Sequence, residues 1–210
     1  ATYLSPTELL CVTPEHTEAV SSVEVTMNLQ QFSDSGMLFE YYRVRLHHVA
    51  PLSGPMAGGT ELIVSGEGFQ PASYKGMWCW FAEAQRTEAT YESSVEVRCK
   101  SPSSGLAKVV DVKIQVDEAF LEGAVQYTYV QAGVVRTIEP LNGPRMGGTA
   151  VTIQGENLVM SITTACRFGN AVVMANQVLP GVLECVTPQP AVAGYVSVEV
   201  TMNAQDYSAD

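Results

Sequence analysis

The chain has 210 residues, 46% apolar and only 16% charged, which is enough to bury the core of one large domain or two ordinary ones. It carries 11 Lys and Arg against 22 Asp and Glu, a net charge of −11 that is spread along the chain without a basic segment. Such a surface argues against nucleic acid or an anionic membrane as a partner. No apolar run approaches the ~20 residues of a transmembrane helix, so we expect no membrane span in this segment.

The sequence repeats itself. VAPLSGPMAGGTELIVSGEGF, which starts at Val49, aligns without gaps with IEPLNGPRMGGTAVTIQGENL, which starts at Ile138. LCVTPEHTEAVSSVEVTMN from Leu10 matches ECVTPQPAVAGYVSVEVTMN from Glu184. The first pair of segments starts 89 residues apart and the second 174 residues apart, about twice that spacing, which indicates three repeat units in one chain.

The repeats predict where each unit begins and ends. We expect the second half of a unit over residues 1–45, a complete unit over 46–130 and a unit without its last strand over 131–210, as in a fragment of a longer array. The connections between units, YRVR and VQAGV, are short and contain no Ser/Gly run. Short connections restrict inter-domain swing and predict a semi-rigid rod.

Alternating side chains predict strands inside each unit. In the second unit Leu62 and Val64 fall on one side of a run and Ile63 on the other, and Val151 and Ile153 repeat this pattern in the third unit. A period of two is typical of a strand with one buried face. Two further runs alternate in the same way and predict these inward-facing residues: Val95, Val97, Cys99, Val110, Val112, Ile114 and Val116.

No window of the sequence shows helical spacing of apolar residues. Five to seven short strands in ~85 residues, separated by Gly, Pro and Ser clusters, predict an all-β fold of tandem immunoglobulin-like sandwiches.

Paired glycines precede the alternating run in both complete repeats. We expect them to supply backbone angles that a Cβ would forbid as the chain turns into the strand. Gly66 and Gly155 are expected to end that strand. A phosphate-binding loop is excluded because no helix and no Lys-Ser or Lys-Thr follows. The predicted turn glycines are Gly58, Gly59, Gly147 and Gly148.

The five cysteines fall at repeated positions. Cys79 and Cys99 lie in the second unit, and Cys166 and Cys185 lie at the equivalent places in the third, which predicts one disulfide in each. Cys11 aligns with the second member of each pair, so its partner is expected upstream. Five buried thiols are the alternative, and metal binding is disfavoured because there is no Cys-x-x-Cys. Persistent disulfides imply an oxidising compartment, hence an extracellular or cell-surface location.

These motifs, taken in order, resemble a known family. The pattern Ile/Val-x-Pro-x-x-Gly-Pro-x-x-Gly-Gly-Thr, a strand, Gly, an acidic residue, then CRFG and ECVTP, is similar to the IPT/TIG domain, an immunoglobulin-like fold. The resemblance covers residues 46–210 and, by its second half, 1–45. It implies arrays that act as stalks or binding surfaces in plexins, growth-factor receptors and fibrocystin-like surface proteins. The family also includes the dimerisation half of Rel-type transcription factors and accessory domains of starch-acting enzymes.

The second unit departs from the family pattern at WCWFAE, where the third keeps ACRFGN. If Cys79 faces the core, Trp78 and Trp80 project from the opposite face, where they could form a contact platform for a protein or a glycan. Cover by a neighbouring domain or by the connection QPASYKGM is the structural alternative. Ala82 replaces the usual glycine, which puts the turn there in question.

Other polar residues give weaker signals. His47 and His48 precede the second unit, where a pH-sensitive hinge or, more simply, a solvated linker is expected. Asp117, Glu118 and Glu122 lack the spacing of a calcium loop and predict an exposed acidic turn. No nucleophile or zinc-protease motif is present, so we expect no enzyme, no cofactor and no metal site.

The sequence therefore predicts a non-enzymatic extracellular module, a stalk or adhesive interaction array within a larger cell-surface or secreted protein. Its expected partners are proteins or neighbouring domains. Carbohydrate-binding accessory domains of a secreted enzyme are one alternative. An intracellular Rel-type dimerisation or DNA-binding module is the other, and the evenly acidic surface counts against it.

Overall fold

The chain divides into two compact units, Ala1–Val44 and Arg45–Asp210. The described part contains strands and turns only, so no helix in it is long and apolar enough to cross a membrane. The computed structural model describes residues 1–17, 19–72, 75–190 and 194–208.

The N-terminal segment (Ala1–Val44) consists of two antiparallel strand pairs. β1 pairs with β2, and β3 pairs with β4. The long connection between β3 and β4 contains a tight turn closed by a bridge between Thr26 and Phe32. Most side chains of the N-terminal segment are exposed. The strands are β1 (Thr2–Ser5), β2 (Glu8–Leu10), β3 (Ala19–Ser22) and β4 (Leu38–Tyr41).

The second compact unit begins with a complete β-sandwich, which we call the middle sandwich (residues 45–130). Its strands are β5 (Arg45–Ala50), β6 (Ser53–Pro55), β7 (Glu61–Glu67), β8 (Met77–Phe81), β9 (Gln85–Ser93), β10 (Glu96–Lys100), β11 (Lys108–Val116), β12 (Ala119–Phe120) and β13 (Val125–Val130).

Two layers make up the middle sandwich. One layer contains β5, β7 and β10, and the other contains β8, β11, β13 and β6. The long strand β9 belongs to both, because Ala89 lies opposite Met77 of β8 and also opposite Cys99 of β10. β13 pairs with β11 on one side and with β6 on the other.

The core of the middle sandwich lies between these layers, as the alternation predicts. Leu62, Val64, Val97 and Ile114 are fully buried, which confirms their predicted orientation. Val95 is 55% exposed and is the clear exception, and Val116 is only partly buried. Val95 lies in the turn between β9 and β10, where its carbonyl accepts a 3.0 Å hydrogen bond from the Gly66 amide.

The remaining strands form what we call the C-terminal sandwich (residues 134–208). β14, β15, β19 and β18 make one layer, and β17, β16 and β20 make the other. The strands β17 and β18 replace the two halves of β9, with the buried Ala175 at the break. The strands are β14 (Val134–Glu139), β15 (Ala150–Glu156), β16 (Ala165–Phe168), β17 (Ala171–Met174), β18 (Asn176–Leu179), β19 (Val182–Val186) and β20 (Val198–Thr201).

The glycine pairs sit at the entry to β7 and β15. Gly58, Gly59, Gly147 and Gly148 all have positive φ angles, between 71° and 88°, which a Cβ disfavours. A Cβ on Gly58 would also lie 2.5 Å from the Pro102 backbone. The amide of Gly59 donates a 2.8 Å hydrogen bond to the Ser101 carbonyl and so attaches the turn to the end of β10.

Gly66 and Gly155 do not end their strands, contrary to the sequence prediction. β7 continues to Glu67 and β15 to Glu156. A Cβ at Gly66 would collide with the carbonyl oxygen of Arg45. Because these glycines have no Cβ, the first strand of each sandwich can lie close to β7 or β15.

Candidate functional site

A disulfide joins the two layers of each sandwich. Cys79 on β8 is bonded to Cys99 on β10, and Cys166 on β16 is bonded to Cys185 on β19, each with a Cα separation of 6.3 Å. All four of these cysteines are buried. In the described part of the chain Cys11 is the free cysteine, and it is exposed. Its pairing with an upstream cysteine stays a prediction.

The two tryptophans lie side by side on the outer face of β8. Trp78 and Trp80 are both partly exposed, while Cys79 between them is buried. The Arg86 guanidinium, from the neighbouring strand β9, lies 4.3 Å from the centre of the Trp78 ring and 5.4 Å from that of Trp80. A cation over an aromatic face is attracted to the ring electrons. Sequence reasoning missed Arg86, although its position on the strand paired with β8 was the available signal.

Other groups of the middle sandwich also contact the tryptophans. The Trp80 indole donates a 2.6 Å hydrogen bond to the Gln115 side chain, and the Phe120 ring lies 5.6 Å away. The Trp78 indole donates to the Lys75 carbonyl at 3.3 Å. Lys75 belongs to the connection that was expected to cover this face, and Ser73 and Tyr74 lie outside the described residues. The pair is therefore a partly covered aromatic and cationic patch.

The hairpin next to Trp80 has an unfavourable backbone. Ala82 and Glu83, between β8 and β9, have φ angles of 49° and 61°. Such a turn normally uses glycine or asparagine, and the C-terminal sandwich places Gly169 and Asn170 there. Lys113 donates a 2.9 Å hydrogen bond to the Glu83 carboxylate and holds its pKa below the usual value.

A turn of the C-terminal sandwich contacts the middle sandwich. Residues 201–208 follow β20, and a bridge between Thr201 and Tyr207 closes the loop. The Asn203 side-chain oxygen accepts hydrogen bonds from the amides of Gln205 and Asp206, at 3.1 and 2.8 Å. Ala204 has a φ of 63°. An asparagine that binds the amides after it fixes such a turn before any partner arrives.

This turn forms four hydrogen bonds with the edge of the middle sandwich where β7 begins. The Thr60 hydroxyl donates to the Asp206 carboxylate at 2.7 Å, and the side-chain NH₂ of Asn203 donates to the Ser53 carbonyl at 3.0 Å. The Gln205 side chain binds the backbone of Glu61 twice, accepting from the amide at 3.1 Å and donating to the carbonyl at 2.9 Å. The Gly-Gly-Thr motif therefore has a second role as a receiving edge.

The register of β7 explains why this edge is open. β5 pairs with β7 only as far as Ala50, opposite Ile63. The outward amide and carbonyl of Glu61 lie beyond the end of β5, so the Gln205 side chain takes the place of the missing strand. The sequence contained a signal for this contact, since TMN-x-Gln occurs twice, but the receiving edge could not be found without the placement of both sandwiches.

The connection between the sandwiches is also fixed. It runs from Gln131 to Gly133, and the Asn157 side chain donates a 3.2 Å hydrogen bond to the Ala132 carbonyl. A Cβ on Gly133 would lie 3.1 Å from side-chain atoms of Leu158 and Met202, so the linker packs against the C-terminal sandwich.

A groove of about 420 Å³ opens on the C-terminal sandwich. Val196 in its wall is 50% exposed, whereas Val110, at the equivalent place in the middle sandwich, is 4% exposed. The difference arises because β13, with the buried Tyr127 and Tyr129, covers that place in the middle sandwich. Within the described residues β20 pairs only with β16.

The weaker sequence candidates lie on the surface. His47 and His48 lie within β5, not in a hinge or linker as the sequence predicted, because this segment pairs with β7. His47 Nε2 lies 4.0 Å from a Glu67 carboxylate oxygen, with both side chains half exposed, and His48 lies opposite Ser65. Glu118 forms an ion pair with Lys75. Among the residues with described positions, no three His, Cys, Asp or Glu side chains form a cluster that could hold a metal ion.

Comparison with known proteins identifies the fold. The family model for the IPT/TIG domain matches residues 45–129 and 134–210. The chain belongs to the IPT/TIG family. Mouse fibrocystin-L is 32% identical over 146 residues, which cover 68% of this chain and 3% of the relative, and human plexin-A2 is 34% identical over 114 residues, 51% of this chain and 6% of the relative.

A solved structure shares the architecture. The plexin A4 full extracellular region superposes with a TM-score of 0.58 and 18% identity over 81% of this chain and 16% of that one. This IPT/TIG chain therefore spans a small part of its relatives. Its two disulfides and its kinship with plexins place it outside the cell, as a module of a cell-surface or secreted protein.

Proposed function

We propose that this chain is a non-enzymatic stalk segment in which successive IPT/TIG sandwiches are locked at a fixed orientation. The observation that carries the proposal is the contact of the 201–208 turn with the Gly-Gly-Thr edge. Fixed orientation lets a row of small domains hold a partner-binding surface at a set distance and angle.

The energetics favour one rigid body over free swing. Each of the four hydrogen bonds contributes about 1 kcal/mol net, and the short linker removes most of the entropy that separate domains would gain. The polar nature of the contact also suits an extracellular stalk. A large apolar interface would expose a hydrophobic patch whenever the contact opens.

Residual dipolar couplings of the full chain test this proposal. If the middle and C-terminal sandwiches form one body, a single alignment tensor fits the amides of both. The double variant Gln205→Ala with Asp206→Ala removes three of the four bonds, so two different tensors are expected. The matched control is Gln30→Ala with Gln31→Ala in the equivalent turn of the N-terminal segment, which leaves the shared tensor unchanged. Two unrelated tensors in the wild type would overturn the proposal.

The Trp78–Trp80–Arg86 patch supports a second role, in binding a protein partner. Tryptophan and arginine are enriched at interface centres, and Arg86 adds a positive charge on an acidic chain. The same guanidinium occupies the ring faces on which a sugar would stack, which disfavours the glycan alternative.

A pull-down on insoluble polysaccharide separates these two ligand classes. We expect wild type, Trp78→Ala with Trp80→Ala, and the control Tyr195→Ala to be retained equally weakly. Strong retention that only the tryptophan variant loses would establish glycan binding instead.

A further inference from the structure

The turn that joins the two sandwiches occurs a second time, in the N-terminal segment. The Asn28 side-chain oxygen accepts hydrogen bonds from the amides of Gln30 and Gln31 at 3.0 and 2.9 Å, matching the two bonds of Asn203. The side-chain NH₂ of Asn28 donates to the side-chain oxygen of Gln31 at 2.8 Å, as that of Asn203 donates to the Asp206 carboxylate. Leu29 has a φ of 60°, against 63° for Ala204. The turn is therefore preformed with the same backbone.

The flanking contacts match as well. The Ser33 amide donates to the Val25 carbonyl at 2.8 Å and the Ser33 hydroxyl accepts from the Val25 amide at 2.8 Å. Ser208 makes the same two contacts with Val200, at 2.9 and 3.1 Å. Asn28, Gln30 and Gln31 are exposed, whereas Asn203 is buried against the middle sandwich. Gln31 replaces Asp206, and its side-chain oxygen can accept a hydroxyl donor in the same way.

The receiving edge also occurs a second time, at the start of β15. Thr149 takes the place of Thr60, and Gly143 lies over it as Gly54 lies over Thr60. Ala150 lies opposite Val186, as Glu61 lies opposite Lys100. The flanking strand β14 ends at Glu139, opposite Thr152, so the outward amide and carbonyl of Ala150 lie beyond it. The Thr149 hydroxyl makes no hydrogen bond to any described residue.

The geometry points to a contact that successive IPT/TIG units repeat, in which the 26–33 turn and the Thr149–Ala150 edge each bind a further unit. Because turn and edge are complementary, the turn of one copy of this chain should also bind the edge of another copy, head to tail. The expected bonds run from the Thr149 hydroxyl to Gln31, from the Asn28 amide to the Asn142 carbonyl, and between Gln30 and the backbone of Ala150. Turn and edge are different surfaces, so the contact is heterologous, with one unit contributing the turn and the other the edge. This inference deepens the proposed function and rests on it.

Crosslinking of the full chain tests the inference. In a Cys11→Ser background, chains carrying Gln30→Cys are mixed with tagged chains carrying Ala150→Cys, at about 1 mM total protein to match the effective concentration of a short linker. A short bis-maleimide crosslinker should give a heterodimer. Replacing Ala150→Cys by Gln154→Cys, on an exposed part of the same strand, provides the matched control and should give background yield only. Adding Asn28→Ala should lower the heterodimer yield about tenfold, since the turn is no longer preformed.

An internal control keeps the two proposals apart. Glu61→Cys with Gln205→Cys, in one chain, should crosslink within the monomer. If it does and the Gln30→Cys and Ala150→Cys mixture gives only background yield, head-to-tail association is wrong while the stalk proposal stands. If the monomer fails to crosslink as well, the contact between the sandwiches is wrong and both proposals fall.

Discussion

The hydroxyl of Thr60 donates a 2.7 Å hydrogen bond to the carboxylate of Asp206, which lies 146 residues further along the chain. The same threonine is 1% exposed and is the last residue of the Gly-Gly-Thr motif, which directly precedes β7. One residue thus belongs both to the turn chemistry of its own sandwich and to the contact with the next.

Thr60→Val should lower the free energy of unfolding of the middle sandwich by about 1–2 kcal/mol, because it leaves Asp206 without its hydroxyl donor. The matched substitution Thr149→Val should cost less than about 0.5 kcal/mol, since its hydroxyl has no partner among the described residues. Both tryptophans lie in the middle sandwich, so their fluorescence during urea unfolding reports on that domain, while far-UV circular dichroism also reports on the C-terminal sandwich that contains Thr149. Equal losses for the two variants would show that Thr60 acts only through its own sandwich.

How far the sequence predicts this molecule depends on the range of the interactions. Alternation at Leu62 and Val64 and the repeated cysteines depend on local spacing, and they predict the sandwich and its core. The prediction that Val95 faces inward was wrong because the alternating pattern of the strand continues into a residue that lies in a turn. The Thr60–Asp206 contact was missed because it depends on how two finished domains are placed, although the repeated TMN-x-Gln marked one side of it.

Ala82→Gly should stabilise the middle sandwich by about 1 kcal/mol, because glycine adopts the positive φ of this hairpin without a Cβ clash. Gly169→Ala, the reverse change in the C-terminal sandwich, should destabilise that domain by a similar amount. Ala84→Gly, one step beyond the strained pair, serves as the control and should not stabilise. Urea midpoints for the three variants would measure this, and an Ala82→Gly protein no more stable than wild type would refute the strain argument.

Loss of the middle disulfide should cost about 3 kcal/mol, the value for closing a loop of this length in the unfolded chain. Cys79→Ala with Cys99→Ala is therefore expected to lower the urea midpoint strongly, whereas Cys11→Ser should leave it unchanged because Cys11 is exposed and unpaired in the described structure. A double variant as stable as Cys11→Ser would mean that the bond adds nothing to the fold.

Stability should fall in alkaline solution because of two buried tyrosines. Burial raises the pKa of Tyr127 and, more strongly, that of Tyr129, whose hydroxyl donates a 2.9 Å hydrogen bond to the Pro102 carbonyl. As the pH rises, the tyrosines of the unfolded chain lose their protons before those of the folded chain. The contribution of the two tyrosines to the free energy of unfolding is therefore fully present below about pH 10 and decreases above it. Tyr127→Phe and Tyr129→Phe should each reduce the loss between pH 9 and pH 11, about the range in which free tyrosine ionises.

Tyr195→Phe is the control for this pH dependence, since Tyr195 is fully exposed. Its alkaline loss should equal that of the wild type. If all three variants lose stability in parallel, the buried tyrosines do not cause the pH dependence.

The claim that this chain works outside the cell as a row of repeated IPT/TIG units depends on its cysteines being paired in register. The most direct test is a peptide map of the protein from its natural source, made without reduction after free thiols have been alkylated. The account predicts peptides that link Cys79 to Cys99 and Cys166 to Cys185. Recovery of all four of these cysteines in alkylated form would contradict it.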